Sequence, residues 1–353
     1  MAEASGEPSL GDIAPAHRFD KGALDAYLRR EIEGFGHDLV IRQFQGGASN
    51  PTFLLTTEGR HGPRRYVMRK KPPGALLASA HQVDREFRVM KALADTDVPA
   101  PRMRVLCEDG SVIGTAFYVM DFLDGRIFVD ASLPMLSPED REKVYDDFGR
   151  VLAALHQLDY KAVGLEDFGR PGDYIARQIG RFTKQYRAAE TERLEPMEQL
   201  ILILPSRAPP NRRVGIVHGD YKMGNVVLHK TEPRLIGVLD WELCTIGDPL
   251  ADLAFSAFPW YPGASSQIQS PNMKAPGIPT LEDYKAAYCR RTGRDLIEGW
   301  EFYLAFGLFR LASISQGVYR RVLTGAIASD FPPVSQAGTL SQRALEILEG
   351  AGQ

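Results

Sequence analysis

This 353-residue sequence has only three cysteines, no surplus of positive charge and no apolar run of the length that crosses a bilayer. Each shortage excludes something. Cys107, Cys244 and Cys289 are odd in number and far apart, so they build neither a disulfide framework nor a spaced zinc site, and a reducing, cytoplasmic setting fits best. Lysine and arginine total 42 against 45 acidic residues, a formal charge of −3, which offers no sequence-wide attraction to nucleic acid or to an anionic membrane. Any anionic ligand must be held by local groups. Crossing a bilayer takes about 18 apolar residues in succession, and no stretch reaches that length. The opening residues up to Asp12 carry Glu3, Glu7, Pro8 and two glycines without an apolar centre, so they read as a frayed tail, not as a secretion signal or an anchor.

What is present is ample core material, 44% hydrophobic residues, in a chain long enough for two domains or one large bilobal one. The order of local patterns is informative. Strand-like stretches at 40–44, 52–57 and 65–70 are separated by turns and read as a meander. Val83, Phe87, Met90 and Leu93 then recur at helical spacing, with Glu86 on the same helix. The stretch 116–125 is strand-like, ends in a turn, and marks the boundary between the two parts. Beyond it, Ser137-Pro138-Glu139-Asp140 is a helix start, with a capping serine, proline in the first turn and acids near the positive helix end. Short strands at about 216–228 and 234–240, and helices at about 281–291 and 300–323, complete a mostly helical second part.

Two segments concentrate chemistry. His218-Gly219-Asp220-Tyr221-Lys222-Met223-Gly224-Asn225 is a loop between strands, and Leu239-Asp240-Trp241-Glu242 closes the next strand. Phosphoryl transfer spreads negative charge over phosphate oxygens, so an enzyme for it supplies positioning and metal-mediated neutralisation. Asn225 and Asp240 are oxygen donors suited to Mg²⁺, which takes few protein ligands and completes its shell with phosphates and water. Asp220 would orient an acceptor hydroxyl and accept its proton. Taken singly, Asp220 and Asn225 are equally good turn residues; their conjunction with Asp240 points to a site.

These residues resemble the aminoglycoside phosphotransferase family, whose catalytic loop has the form His-Gly-Asp-x-x-x-x-Asn, matched by His218, Gly219, Asp220 and Asn225, and whose metal-binding Asp matches Asp240. The resemblance covers roughly residues 40 to 255. It implies an α+β, protein-kinase-like, bilobal fold, with a small antiparallel-sheet N-lobe at 21–121 for the nucleotide, a mostly helical lobe at 122–353 for catalysis and the acceptor, and a flexible tail at 1–20. It also implies ATP as co-substrate, with GTP open, and Mg²⁺ as the ion. Gly46-Gly47-Ala48-Ser49-Asn50 falls where related kinases cover the phosphates with backbone N–H groups, although an ordinary hairpin turn has the same composition. Gly46, Gly47, Ser49 and Asn50 are therefore phosphate-turn candidates. Arg69 stands where the family commonly has Lys, with Glu86 as its partner and Lys70 facing the other way. The other reading is an exposed strand charge beside a solvated glutamate. Main-chain groups of Met120 and Phe122 would meet adenine, unless this is a plain interdomain strand. Asp248 reads as a helix cap, and Asp252 as a ligand of the loop backbone, with His218 in support.

The acceptor is a separate question, because one fold serves many substrates. A polycationic aminoglycoside calls for carboxylates, yet the helix at 300–323 has Glu301 against Arg310, Arg320 and Arg321. Arg310, Tyr319 and Arg320 are candidates to hold an anionic acceptor, and a solvated basic face is the competing reading. The runs Arg69-Lys70-Lys71-Pro72-Pro73-Gly74, Val83-Asp84-Arg85-Glu86 and Gln316-Gly317-Val318-Tyr319 are similar to the subgroup found fused to acyl-CoA dehydrogenases, which implies a hydroxyacyl-CoA acceptor. Sugar, choline-like and aminoglycoside acceptors stay open, as do a catalytically silent nucleotide-binding regulator and the oligomeric state, a dimer included.

Overall fold

Residues 52–59 alternate and bury Phe53, Leu55 and Thr57, residues 62–70 pair with them antiparallel and bury Tyr66, Val67 and Met68, and the sheet grows outward from this hairpin. The computed structural model describes residues 9–45, 50–60, 62–72, 82–210, 213–261, 272–325 and 334–350. The chain forms β1 (Leu10–Gly11), α1 (Lys21–Glu31), β2 (His37–Phe44), β3 (Thr52–Gly59), β4 (Gly62–Lys70), α2 (Val83–Ala92), β5 (Met103–Cys107), α3 (Gly110–Ile113), β6 (Phe117–Asp121) and β7 (Gly125–Arg126). It continues as α4 (Pro138–Gln157), α5 (Tyr174–Ala189), α6 (Glu195–Arg207), β8 (Gly215–Val217), β9 (Val226–His229), β10 (Leu235–Val238) and β11 (Thr245–Gly247). Helices α7 (Pro249–Ser256), α8 (Leu281–Thr292), α9 (Trp300–Leu323) and α10 (Ala337–Glu349) follow. Two compact units result: the first takes the chain up to Val129 together with Val163–Leu165 and Gly224–Cys244, and the second takes Asp130–Ala162, Glu166–Met223 and the chain from Thr245 onward.

In the first unit a six-stranded antiparallel sheet has the order β1-β2-β3-β4-β6-β5. Within the stretch expected as a tail, Leu10–Gly11 pairs with Phe44 and Gln43 at the sheet edge. Helix α1, capped by Asp20, brings Leu24, Leu28 and Ile32 against Phe53, Leu55, Tyr66, Met68, Phe117 and Val119. Fully burying a leucine such as Leu24 is worth about 2 kcal/mol, so this cluster carries much of the unit's stability. Because β4 alternates, Tyr66 and Met68 share a face with Lys70, whose ammonium sits 5.7 Å from the Phe19 ring centroid, and Arg69 takes the opposite face. Burial lowers the Lys70 pKa. A second, three-stranded sheet, β10-β9-β7, completes the unit.

The second unit is helical. Ser137 accepts a hydrogen bond from the Asp140 N–H at 3.2 Å, with Pro138 in the first turn of α4. Helix α9 is buried on nearly every side in its first half, from Trp300 to Phe309, and packs on α5, α7 and α10. Strands β8 and β11 pair antiparallel with Gly215 opposite Gly247. A Cβ at Gly215 would lie 2.8 Å from the His156 carbonyl oxygen, so glycine here lets β8 approach α4 closely. No helix among the described residues is long and apolar enough to cross a membrane.

Candidate functional site

The first unit gathers its charged groups around Arg69. Strand β4 presents the guanidinium, which is 14% exposed, with Nη1 2.9 Å from Glu86 Oε2. Nη1 and Nη2 each donate to Asp240 Oδ1 at 3.2 Å, and Nη2 reaches Glu242 Oε2 at 3.4 Å. One cation therefore serves three carboxylates. Its Nε–H is buried and has no hydrogen-bond partner among the described residues. Burial works against the Arg69 charge, but Tyr118, Glu86, Asp240 and Glu242 outweigh it and hold its pKa above that of a free guanidinium.

Glu86 rises from α2 and is 1% exposed. It accepts from Asn50 Nδ2 at 3.0 Å and from the Tyr118 hydroxyl at 3.0 Å, in addition to Arg69. Burial pushes its carboxyl up to about 7, against the pull of Arg69 and the Tyr118 hydrogen bond and with the help of Asp240 and Glu242.

The hairpin of β9 and β10 positions the two oxygen donors expected to hold a metal. Val226 pairs with Val238, and the Leu239 N–H donates to the Asn225 carbonyl at 2.8 Å. Asn225, just before β9, and Asp240, just after β10, therefore stand at the same end of the hairpin. Asp240 has φ 66° and ψ 59°, a left-handed conformation that an aspartate tolerates better than most residues but still at some cost. The indole N–H of Trp241 donates to the Val238 carbonyl at 2.9 Å and tightens this turn. Among the described residues no three His, Cys, Asp or Glu cluster as a self-sufficient metal site. An amide oxygen and a carboxylate at one hairpin end are nonetheless the sparse, hard donor set that Mg²⁺ accepts when phosphates and water supply the rest. The guanidinium already on Asp240 shows that this carboxylate is disposed to receive a cation.

The second unit builds a loop around Asp252. Asp248 caps α7, accepting from the Leu250 N–H at 3.0 Å ahead of Pro249, and takes the Tyr303 hydroxyl at 2.6 Å. One turn into α7, Asp252 is completely enclosed and accepts from the backbone N–H groups of His218 and Gly219. His156 Nε2 lies 3.5 Å from it, and the Nδ1 of that ring lies 2.8 Å from the Tyr288 hydroxyl. Burial opposes the Asp252 charge, but His156, His218 and the Gly219 N–H outweigh it and hold its carboxyl below the ordinary range. His218 Nδ1 accepts from the Asp220 N–H at 3.1 Å, and the Tyr221 hydroxyl donates to the Phe148 carbonyl at 2.9 Å, so both neighbours of the loop are pinned inward. Asp220 is left 18% exposed, with Lys222 Nζ 2.9 Å from its Oδ2.

Several expected residues have other duties. Gly46, Gly47 and Ser49 lie outside the described residues. Asn50 bonds Glu86 through its side chain and is 6% exposed. Met120 sits in β6 between β4 and β5, the Phe122 N–H donates to the Arg65 carbonyl at 3.3 Å, and the Phe122 ring lies 4.3 Å from the Arg65 guanidinium. Arg310 is buried, donates to the Gly219 carbonyl and lies between the Phe182 and Phe255 rings. Arg320 donates to the Ala188 carbonyl at 2.8 Å, closing the end of α5, and Tyr319 is half-buried. Both guanidiniums thus serve the protein's own carbonyls. Reading the sequence assigned no role to Glu242, Tyr118, His156 and Lys222; Glu242 and Lys222 lie inside the two chemistry-bearing segments, within reach of a local reading, whereas Tyr118 and His156 matter through contacts between distant segments.

The model of the phosphotransferase enzyme family matches residues 40–303. The chain belongs to that family. A protein from Ralstonia eutropha, described as a candidate aminoglycoside phosphotransferase, is 44% identical, with a TM-score of 0.83 covering 94% of this chain and 99% of that one. Human acyl-CoA dehydrogenase family member 11 is 44% identical over 335 residues, 93% of this chain and 42% of that protein. The chain thus spans less than half the length of the curated relatives it matches. A thermostable mutant aminoglycoside phosphotransferase in ternary complex with ADP and hygromycin B is 17% identical with a TM-score of 0.59, covers 94% of this chain and all of that one, and shares the fold. The fold is α+β and protein-kinase-like, and the membership is that of a phosphotransferase.

Proposed function

We propose that this phosphotransferase family member is an ATP- and Mg²⁺-dependent kinase acting on a hydroxyl of a small molecule, with a hydroxyacyl-CoA as acceptor. The observation that carries the nucleotide half is Arg69: a largely buried guanidinium on a sheet face, with no acceptor for its Nε–H among the described residues, beside two partly exposed carboxylates at a hairpin end. A buried N–H without a partner calls for an acceptor, and phosphate oxygens are strong ones. When bound, Mg²⁺ neutralises the phosphates. In this reading Asn225 and Asp240 hold it, Arg69 steadies the α- and β-phosphates, and Glu86, fixed by Tyr118 and Asn50, keeps Arg69 on its face of the sheet. Phe122 N–H is already bonded, so adenine would exchange that bond or use Leu123 and Asp124 beyond it.

In this reading Asp220 takes the proton of the attacking hydroxyl. Asp252 fixes the backbone that carries it. The acceptor class rests on the relatives named for acyl-CoA dehydrogenases, and on the notable scarcity of acids along α9. Transfer of labelled γ-phosphate across hydroxylated acyl-CoAs, sugars, choline and aminoglycosides tests both halves. Labelling of a hydroxyacyl-CoA is the expected result; labelling of an aminoglycoside alone would overturn the acceptor, and clear ATP binding without any transfer would favour a regulator.

A further inference from the structure

Resting on that reading, we infer that Arg69 occupies the cation seat of Asp240 in the ligand-free chain, so that the metal enters only together with a nucleotide whose phosphates draw Arg69 away. Both terminal nitrogens of Arg69 converge on a single oxygen, Asp240 Oδ1, each at 3.2 Å, and one of them also touches Glu242 at 3.4 Å. Asp240 is the more exposed partner, 35% against 14% for Arg69, so its carboxylate stays partly open to solvent while its Oδ1 is taken. An ion bound to that oxygen would face the guanidinium across a few ångströms, where like charges repel strongly in a partly buried place. Metal and guanidinium therefore exclude one another at Oδ1.

Arginine is suited to this exchange in a way that lysine is not. Its planar fork spans Glu86, which is enclosed, and the Asp240–Glu242 pair, which is not, and its Nε–H has no acceptor among the described residues. A triphosphate would satisfy Nε and compete for the terminal nitrogens, while Glu86 retains its hold. Asp240 is then released to the metal that the same triphosphate carries. The left-handed backbone at Asp240 keeps its carboxylate presented throughout. Lysine, a compact single charge, lacks the planar fork by which Arg69 sets two nitrogens on Asp240 while one of them stays on Glu86.

Manganese binding to the full chain, read from the loss of the free-ion electron paramagnetic resonance signal, separates the possibilities. Without nucleotide the unaltered protein should bind the ion weakly, and Arg69→Met should bind it about tenfold more tightly, since a competing charge-assisted contact is gone. Adding Asp240→Asn to Arg69→Met should erase the gain. With ADP the order should reverse, the unaltered chain binding the ion more tightly than Arg69→Met. Arg69→Lys, which keeps the charge, should fall between the two and gives the answer if Arg69→Met does not fold. Unchanged or weaker ion binding without nucleotide in a folded Arg69 variant would overturn the exchange. Failure of the unaltered chain to bind manganese even with ADP would instead overturn the kinase reading itself.

Discussion

Two buried carboxylates, Glu86 in the first unit and Asp252 in the second, differ in how they are neutralised, and the difference separates an adjustable site from a fixed one. Asp252 has its partners largely to itself: the backbone N–H groups of His218 and Gly219, just past β8, and an imidazole on α4. Glu86 has two neutral donors and a share in one guanidinium that also answers to Asp240 and Glu242. Hence burial wins at Glu86, raising its carboxyl, and loses at Asp252, which sits low. A cation divided among three anions can be redistributed when a ligand arrives. A carboxylate saturated by fixed dipoles has nowhere to go.

The contrast can be sharpened by substitution. Asp220→Ala, on the loop that Asp252 anchors, should lower the turnover number about a thousandfold while the melting temperature moves far less than in Asp252→Ala, because it removes a proton acceptor whose ion pair with Lys222 is partly solvated. Steady-state kinetics beside thermal unfolding checks both parts. Asp252→Ala should lower stability by about 3 kcal/mol and turnover with it, since two loop N–H groups and His156 lose their partner inside the protein. Chemical denaturation measures the loss; a shift under about 1 kcal/mol would mean that the loop is held by other means.

Acid and alkali should act in opposite directions on the two groups. Glu86 is raised from 4.5 to about 7, so the folded state holds its proton more firmly; that contribution is present below pH 4.5 and lost as pH climbs through about 7. Asp252 is lowered, so its contribution is present above its unfolded value of 3.8 and disappears as pH falls through the folded value. Unfolding free energies over this range should show Glu86→Gln flattening the upper slope and Asp252→Asn the lower one. The smallest effect is reserved for Asp240→Ala, whose ion pair is partly solvated: stability should change by less than about 1 kcal/mol, while the thermal shift caused by Mg-ADP vanishes.

Much of this arrangement can be read along the chain. The meander, α2, α4 and α9 follow from period-two and period-3.6 patterns, and the Ser137 cap from its neighbours. The meeting of Arg69 and Glu86 is expected from the family resemblance, which sets Arg69 where the family commonly has Lys and Glu86 as its partner. Helix α5 shows the same spacing in Ile175, Ile179, Phe182 and Tyr186 and was equally accessible, although it was not singled out. What eluded reading is what depends on distance along the chain. A helical wheel gathers Arg310 and Arg320 on one face, but only tertiary packing turns the first toward the Gly219 carbonyl and the second onto the end of α5. Tyr118 and His156 carry no local pattern, and Glu242, although it ends the segment that holds Asp240, gives no local sign of reaching Arg69. Their partners lie 32, 96 and 173 residues away.

The division of the sequence among three segments for each unit also governs how the molecule comes into being. A ribosome that has released everything up to Val129 has made most of the first unit, yet β9, β10 and the turn at Asp240 emerge only with Gly224–Cys244. Arg69 and Glu86 must therefore wait through the synthesis of α4, α5 and α6 before their last carboxylates arrive. Neither unit can be excised as one continuous fragment, and a chain stopped before Val226 would leave β7 without the β9–β10 hairpin with which it forms the three-stranded sheet.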